Sequence, residues 1–254
     1  MKGSSGSDLT LKGDWILKNC SDSQSQVAWF VEAEGKRVAR DIYLPLVREI
    51  DSSSYEIEKV SGVLGTGVNS FSLILKLYDQ IKIWSEYPCE RGDILSYIVR
   101  MREQHIFQHS PPEVLEVMEF LEKYMPSSHF PGTFCHGDLT LENILVRQDG
   151  KVALIDPNNK GNLFRSYILD LGKILQSIHS DYHRMFDSNP GVDQTWMWEN
   201  FRALLERDGL LKPALLAEIS HLLRLRKYRP KGQRILVDHL MQVRIEEYQR
   251  LLND

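Results

Sequence analysis

The chain has 254 residues with 31 basic and 35 acidic side chains, which give a formal charge of -4. Hydrophobic residues make up 42% and charged residues 26%, a mixture that excludes disordered, collagen-like and coiled-coil chains. The acidic balance argues against a nucleic-acid-binding protein, and no apolar run is long enough for a membrane span. Three widely separated cysteines favour a reducing compartment, so we expect a cytoplasmic protein without disulfides.

Residues 1–60 predict a small β-containing lobe. Alternating or continuous apolar runs predict strands there, and polar turn residues separate them. One helix is predicted, over residues 24–39. The predicted extended segments are residues 8–19, with a turn at 12–14, and residues 46–50 and 55–60.

Residues 61–254 predict a larger and mainly helical lobe, because apolar residues recur there at helical spacing. The predicted helical segments are residues 69–86, 92–105, 112–124, 166–187, 194–207, 211–227 and 232–252. A different island, residues 133–157, interrupts them. In it a loop precedes two β-rich stretches, which a turn at Gln148–Gly150 joins.

The island contains three polar residues at a characteristic spacing. Asp138 follows His136 and a glycine, Asn143 lies five positions later, and Asp156 comes thirteen positions after Asn143. A His-x-Asp-Leu-x-x-x-Asn pattern followed by an acidic residue at the end of a hairpin strand is the catalytic arrangement of kinases. The alternative, a surface turn with capping Asn and Asp residues, explains each residue alone but not both spacings together.

Phosphoryl transfer requires these residue types. A carboxylate accepts the proton of the incoming hydroxyl, and oxygen ligands hold Mg²⁺ beside the phosphates. Mg²⁺ prefers oxygen donors and keeps several waters, so one carboxylate and one amide suffice when ATP supplies the other ligands. We therefore expect Asp138 to be the base, and Asn143 and Asp156 to be ligands of Mg²⁺.

At these residues the sequence resembles the aminoglycoside phosphotransferase-like branch of the protein-kinase-like fold, the phosphotransferase enzyme family. The resemblance covers residues 136–145 and 154–157 and extends to residues 167–173. It implies a two-lobed α+β fold, with a small truncated β-rich N-terminal lobe and a larger helical C-terminal lobe. It also implies that Asp170 is structural and holds His136 or the loop backbone.

The resemblance favours a small-molecule acceptor over a protein. Gly137 stands where protein kinases carry an Arg before the catalytic Asp, and Thr140 where they carry a Lys two residues after it. Residues 155–182 are similar to members associated with capsular or cell-surface polysaccharide biosynthesis. We therefore expect an ATP- and Mg²⁺-dependent phosphotransferase that acts on a hydroxyl of a small molecule, with a sugar or polysaccharide precursor as a candidate. The alternatives are a degenerate kinase that binds a nucleotide or partner without catalysis, and an atypical protein kinase.

A kinase of this kind needs a strand lysine that contacts the phosphates and a helix glutamate that holds the lysine. Lys18 ends the second predicted strand and fits the first role. Either Glu32 or Glu34, on the predicted helix, fits the second, and the sequence does not choose between them. The alternative for each of these side chains is an exposed position on a solvated face.

The remaining nucleotide contacts are predicted from chain order. Residues 3–7, which include Ser4 and Ser5, predict a phosphate-covering loop, because glycines allow backbone amides to approach phosphate oxygens. The same Gly-Ser composition is typical of an expression-tag remnant or a frayed terminus. Backbone groups between Glu58 and Val60 fall where the interlobe hinge would meet the adenine edge.

Two sets of polar residues after the island have no assigned role. The basic side chains between residues 224 and 234 predict a solvated helix end or, alternatively, a patch that binds a phosphorylated or acidic acceptor. Polar residues within the fourth predicted helical segment of the second lobe are candidates to line the acceptor site, although polar residues on one helix need no such role. They are His179, Asp181, Tyr182 and His183.

Overall fold

A computed structural model of the chain describes residues 8–20, 23–89, 93–106, 111–126, 128–158, 164–182 and 196–253. Within these ranges the architecture is α+β. Two four-stranded sheets lie in the first 154 residues, and helices make up most of the rest. The predicted phosphate loop, with Ser4 and Ser5, lies outside the described residues, as does His183.

The first sheet and one helix form the β-rich part. Its strand order is β1-β2-β5-β4, and every neighbouring pair is antiparallel. Helix α1 packs its apolar face on this sheet, with Trp29, Phe30 and Ala33 fully buried. The elements are β1 Asp8–Lys12, β2 Trp15–Asn19, α1 Ser23–Glu34, β4 Val47–Asp51 and β5 Ser54–Glu58. The predicted strands and helix of this region are therefore confirmed, with ends that differ by a few residues.

The second sheet joins the two parts of the chain. Its order is β3-β8-β7-β6, and β3 pairs in parallel with β8. The strands are β3 Ile42–Tyr43, β6 Val63–Leu64, β7 Ile144–Val146 and β8 Val152–Leu154. Because β3 precedes residue 60 and yet pairs with β8, the β-rich part is hydrogen-bonded to the hairpin predicted around Gln148–Gly150.

Each of the predicted helical segments contains a helix. They are α2 Phe71–Ser85, α3 Ile94–Ile106, α4 Pro112–Tyr124, α5 Tyr167–Ile178, α6 Trp196–Arg207, α7 Leu211–Arg226 and α8 Lys231–Asn253. Short 3-10 helices lie at Gly65–Gly67 and Leu141–Asn143. In the part of the chain that the structure describes, no helix combines the length and apolar character needed to cross a membrane.

Helix α5 is buried along most of its length and packs closely against α7. The approach is closest at Gly172, where an added Cβ would lie 2.6 Å from the Cβ of Ala217 and 2.8 Å from the backbone nitrogen of Glu218. Only glycine allows this separation of the two backbones. The contact matters for the site, because on α5 Asp170 lies two residues before Gly172 and Lys173 directly follows it.

Candidate active site

Asp170 holds the backbone of the loop that precedes Asp138. Asp170, on α5, is fully buried and accepts hydrogen bonds from the backbone N–H groups of His136 at 2.6 Å and Gly137 at 2.8 Å. Gly137 has a φ of +83°, in the left-handed region that favours glycine. Burial raises the pKa of Asp170 to about 7, although the two backbone hydrogen bonds act in the opposite direction.

His136 contributes packing rather than charge. It is fully buried, and its ring meets the ring of Trp29 edge-on at a centroid distance of 5.2 Å. Burial lowers the pKa of His136 to about 4, so the imidazole is neutral near pH 7. The indole nitrogen of Trp29 also donates to the carbonyl oxygen of Cys135 at 2.8 Å. Helix α1 is thereby joined to the start of the loop.

Asp138 is about one-third exposed and has a partner on each carboxylate oxygen. The Lys173 ammonium lies 3.0 Å from Oδ1, and the side-chain amide of Asn143 donates to Oδ2 at 3.0 Å. Burial opposes ionisation of Asp138, but the charge of Lys173 outweighs it and holds the pKa of this carboxyl below its ordinary value. Asp138 is therefore an ionised and accessible hydrogen-bond acceptor.

Asn143 and Asp156 are both held close to this loop by hydrogen bonds. The Asn143 amide nitrogen also donates to the carbonyl oxygen of Asp138 at 2.8 Å, which leaves its amide oxygen as the atom available to a cation. Asp156 follows β8, and residues next to it in the sequence are hydrogen-bonded to the backbone of the loop. The backbone N–H of Ile155 donates to the Asn143 carbonyl at 3.0 Å, and that of Asn158 to the His136 carbonyl at 3.0 Å.

Lys18 reaches this group from the first sheet. Its ammonium lies 2.6 Å from Oδ1 of Asp156 and 3.2 Å from Oε1 of Gln26. The side chain of Lys18 is only 3% exposed, whereas that of Asp156 is 31% exposed. Three predicted site residues from the second lobe and one from the first therefore converge.

The predicted pairing of Lys18 with Glu32 or Glu34 is wrong. Glu32 bonds instead to Arg165 at 3.1 Å and to Lys36 at 3.3 Å, and Glu34 is exposed. Gln26 faces the lysine in their place and also accepts from the Tyr55 hydroxyl at 2.6 Å. Because Asp156 supplies the negative charge, a neutral amide suffices as the second partner of Lys18.

The predicted adenine contact between Glu58 and Val60 stays a prediction, and the structure limits which backbone groups could make it. The backbone N–H of Glu58 donates to the carbonyl of Leu46 at 2.8 Å, and that of Lys59 to Asp14 at 2.8 Å. The Glu58 carboxylate accepts from the Tyr43 hydroxyl at 2.5 Å. The end of β5 is thus committed to its own sheet, and these two amides are not available to a nucleotide. Val60 follows and is half-buried.

Lys173 is a site residue that lies outside the catalytic motif. Protein kinases place a lysine two positions after the catalytic Asp, where this chain has Thr140. Here a lysine reaches the same carboxylate from helix α5, and Oε1 of Gln176 holds its ammonium at 3.1 Å. The signal was present in the sequence, because Asp170 and Lys173 lie three positions apart and share a helix face.

Residues that follow α5 anchor the loop rather than line an open pocket. The Tyr182 hydroxyl donates to Oε2 of Glu142 at 2.7 Å, and Glu142 belongs to the 3-10 helix between Asp138 and Asn143. Burial raises the pKa of Tyr182 well above its ordinary value, so the phenol keeps its proton. Tyr182 therefore fastens the segment after α5 to the loop.

His179 lies in a buried charged cluster. Its Nδ1 is 2.9 Å from Oε2 of Glu218 on α7, and its Nε2 is 3.2 Å from Oε2 of Glu247 on α8. Its ring stacks on Trp198 of α6 at a centroid distance of 3.8 Å. Burial favours the neutral ring, but the attraction of Glu218 outweighs it and raises the pKa of His179. His179 thus links the end of α5 to three other helices, and the two carboxylates favour the charged form of its ring.

The stability of the fold should therefore fall as the pH rises from 6 to 8.5. The contribution of His179 is complete below its ordinary pKa of 6.5 and is lost as the pH passes the higher value of the folded state. Glu218 and Glu247 have lowered pKa values, so their own contributions change only in acid. Replacing His179 by Gln should destabilise the fold by about 2–4 kcal/mol at pH 6 and flatten this dependence.

Urea unfolding at both pH values measures this effect. The matched control is His239→Gln, because His239 is exposed on α8. An equally steep loss of stability with pH in the His179 variant and in the control would show that another group titrates.

The donor set fits Mg²⁺. The amide oxygen of Asn143 and the second carboxylate oxygen of Asp156 are hard oxygen donors, which this ion prefers. The described residues contain no group of three or more His, Cys, Asp and Glu side chains that could hold a metal by themselves. Two protein oxygens are typical of a magnesium site in which nucleotide phosphates and water supply the remaining ligands.

Comparisons with known proteins agree with this geometry. Residues 87–204 match the model of the phosphotransferase enzyme family. No curated protein matches the sequence. Among solved structures, the GDP and kanamycin complex of the aminoglycoside phosphotransferase APH(2'')-IIIa has a TM-score of 0.62 at 13% identity, covering 96% of this chain and 90% of that one.

Two further structures show the same relation. ADP-bound aminoglycoside phosphotransferase APH(2'')-Ib has a TM-score of 0.61 at 13% identity, over 98% of this chain and 93% of that one. The choline kinase LicA from Streptococcus pneumoniae has a TM-score of 0.62 at 14% identity, over 98% and 92%. Likeness at such identities shows the fold. Residues 87–204 are thus similar to the phosphotransferase enzyme family, and the chain has the protein-kinase-like α+β fold of these structures.

Proposed function

We propose that this phosphotransferase moves the γ-phosphoryl group of ATP to a hydroxyl of a small molecule, with a sugar or polysaccharide precursor as the acceptor. The observation that carries the proposal is the ionised, accessible Asp138 carboxylate, which Lys173 and Asn143 hold beside the Lys18–Asp156 pair. The GDP and ADP of the similar structures support a nucleotide donor. The likeness of residues 155–182 to polysaccharide-biosynthesis members favours a sugar hydroxyl.

In this mechanism Asp138 accepts a hydrogen bond from the acceptor hydroxyl and orients its oxygen toward the γ-phosphorus. A bond forms between that oxygen and phosphorus, the bond from phosphorus to the β-bridging oxygen breaks, and ADP leaves. The hydroxyl proton passes to Asp138. Lys18 binds the α- and β-phosphates. Asn143 and Asp156 would hold Mg²⁺, which would neutralise part of the phosphate charge when bound.

The test is transfer from γ-labelled ATP, and in parallel GTP, to a panel of neutral, acidic, phosphorylated and cationic hydroxyl compounds. We expect a labelled small molecule whose formation requires Mg²⁺. Labelling of the chain itself or of an added protein, without any labelled small molecule, would instead indicate an atypical protein kinase. Mg²⁺-dependent ATP binding with neither transfer nor slow ATP hydrolysis would indicate a degenerate kinase.

Replacing Asp156 by Asn should weaken Mg²⁺–ATP binding by about 10-fold to 100-fold, because a neutral amide is a poorer ligand and leaves Lys18 without its carboxylate. Calorimetric titration with ATP, with and without Mg²⁺, measures this loss. The matched control is Asp79→Asn, whose side chain is exposed on α2. Equal Mg²⁺–ATP affinity in the Asp156 variant and in the control would remove the metal role of Asp156.

A further inference from the structure

Helix α1 contacts the site through side chains that recur every three residues. These are Gln26, Trp29 and Glu32, and this spacing places them in succession along one side of the helix. Oε1 of Gln26 accepts a hydrogen bond from the Lys18 ammonium at 3.2 Å, and the Trp29 indole donates to the Cys135 carbonyl oxygen at 2.8 Å. The helix is thereby joined to the strand lysine and to the start of the loop before Asp138.

The third of these side chains, Glu32, pairs with a cation from the second lobe. Its Oε2 lies 3.1 Å from Nη1 of Arg165, whose side chain is only 1% exposed. The Arg165 guanidinium also lies 4.7 Å from the centre of the Phe134 ring. The backbone carbonyl of Arg165 accepts from the N–H of Thr133 at 3.0 Å. The ion pair therefore joins α1 to the segment that leads into α5.

The burial of Arg165 makes this contact specific. A buried cation has lost its hydration, so removing its partner leaves an uncompensated charge. Glu32 is the only carboxylate that forms an ion pair with Arg165 among the residues that the structure describes. Lys36 also pairs with Glu32, at 3.3 Å, but it belongs to α1 itself. A shift of α1 that carried Glu32 away would therefore leave Arg165 without its counter-ion.

Lys18 depends on α1 for one of its two partners. Its ammonium is held by Asp156 at 2.6 Å and by Gln26 at 3.2 Å, and its side chain is 3% exposed. Gln26 also accepts from the Tyr55 hydroxyl at 2.6 Å. Because Gln26 and Glu32 lie less than two turns apart on one hydrogen-bonded helix, the position of one follows that of the other.

We propose that Arg165 is a positioning residue for the nucleotide site: by binding Glu32 it holds α1 where Gln26 keeps the Lys18 ammonium beside Asp156. The inference rests on the proposed function, in which Lys18 binds the α- and β-phosphates. It adds that α1 aligns the two halves of the site. Arg165, which touches neither the nucleotide nor the acceptor in this mechanism, then sets the affinity for ATP.

Replacing Arg165 by Met should weaken Mg²⁺–ATP binding, and raise the KM for ATP, by about 10-fold. The KM for the acceptor should not change, because Asp138 is untouched. Glu32→Gln should have a smaller effect, since its amide oxygen still accepts a hydrogen bond. Arg165→Lys keeps the charge and should restore part of the affinity. The matched control is Arg250→Met, at an exposed arginine that also forms an ion pair with a glutamate. Calorimetric titration and initial rates measure these effects.

A second measurement needs no nucleotide. After thermal melting has shown that each variant is folded, an amine-reactive reagent is added to the full chain, and peptide mass spectrometry follows the labelling of Lys18 and Lys82. Lys18 should react about 3-fold to 10-fold faster in Arg165→Met and Glu32→Gln than in the unmodified chain, because a shift of α1 opens its buried site. Lys82, whose side chain is 55% exposed, is the internal reference and should keep its rate.

The double variant Arg165→Met/Glu32→Gln shows whether the two residues act as one pair. We expect its losses to be no larger than those of Arg165→Met alone, because the pair is already broken. Multiplied losses, equal acceleration of Lys18 and Lys82, or Lys18 labelling equal to that in Arg250→Met would overturn the inference. So would ATP affinity equal to that of Arg250→Met in a chain that binds ATP.

Two further results are assigned in advance. If Arg165→Met does not fold, Glu32→Gln and Arg165→Lys provide the same comparison with Arg250→Met. If the unmodified chain binds no ATP, the proposed function fails by itself, because the labelling of Lys18 still tests whether Arg165 holds α1 in place.

Discussion

Replacing Asp138 by Asn should lower the rate of phosphoryl transfer by about 10²-fold to 10⁴-fold, the usual contribution of a positioned general base. The amide cannot accept the hydroxyl proton, and it no longer balances the charge of Lys173. Mg²⁺–ATP affinity should stay close to that of the unmodified chain, because Lys18 and Asp156 are untouched. Single-turnover transfer and calorimetric ATP titration separate the two effects.

The control for this prediction is Asp79→Asn, which makes the same chemical change at an exposed position on α2. It should leave both transfer and ATP affinity unchanged. Transfer by the Asp138 variant at the rate of the control would show that another group receives the proton. A parallel loss of transfer and of ATP affinity would instead assign Asp138 to the nucleotide and metal site.

Replacing Asp170 by Ala should destabilise the fold by about 2–4 kcal/mol, because the buried N–H groups of His136 and Gly137 both lose their acceptor. Transfer should fall as well, since these two residues set the position of the loop before Asp138. Asp170→Asn should be milder, because one oxygen remains to accept one of the two hydrogen bonds. Urea unfolding and transfer assays measure the two effects.

The corresponding control is Asp79→Ala, which should change stability by no more than about 0.5 kcal/mol. If Asp170→Ala unfolded at the same urea concentration as this control, the two hydrogen bonds would contribute nothing to stability. If it were destabilised and still transferred phosphate normally, the loop would not depend on Asp170 for its position.

Local pattern predicted the secondary structure well. The helical spacing of apolar residues predicted α2 to α8, and the alternation over residues 55–60 predicted β5. Both patterns depend on which face of an element is buried, and that information is local to the segment. Element ends were less accurate. Helix α5, predicted to continue to residue 187, ends at Ile178, directly before His179 enters its ion pairs with other helices.

Pairing between distant segments was not predictable in the same way. Glu32 was a candidate for Lys18 because it is acidic and lies on the correct helix, yet it faces Arg165. The partners of Lys18 are Gln26, which is neutral, and Asp156, which is 138 residues away. Charge type and chain order do not specify which side chains meet across an interface, because helix orientation and sheet packing determine it.

The sequence alone determined the fold class, the kinase-like motif and the convergence of Asp138 and Asn143, because a short loop and a tight hairpin limit where these residues can lie. Only the tertiary structure decided the charges around them. Packing of α5 on α7 at Gly172 positions α5 so that Lys173 reaches Asp138, and no local pattern encodes that approach. The charge of -4 over the whole chain therefore does not indicate which charges surround Asp138, because electrostatic interactions depend on distance through the fold and not on composition.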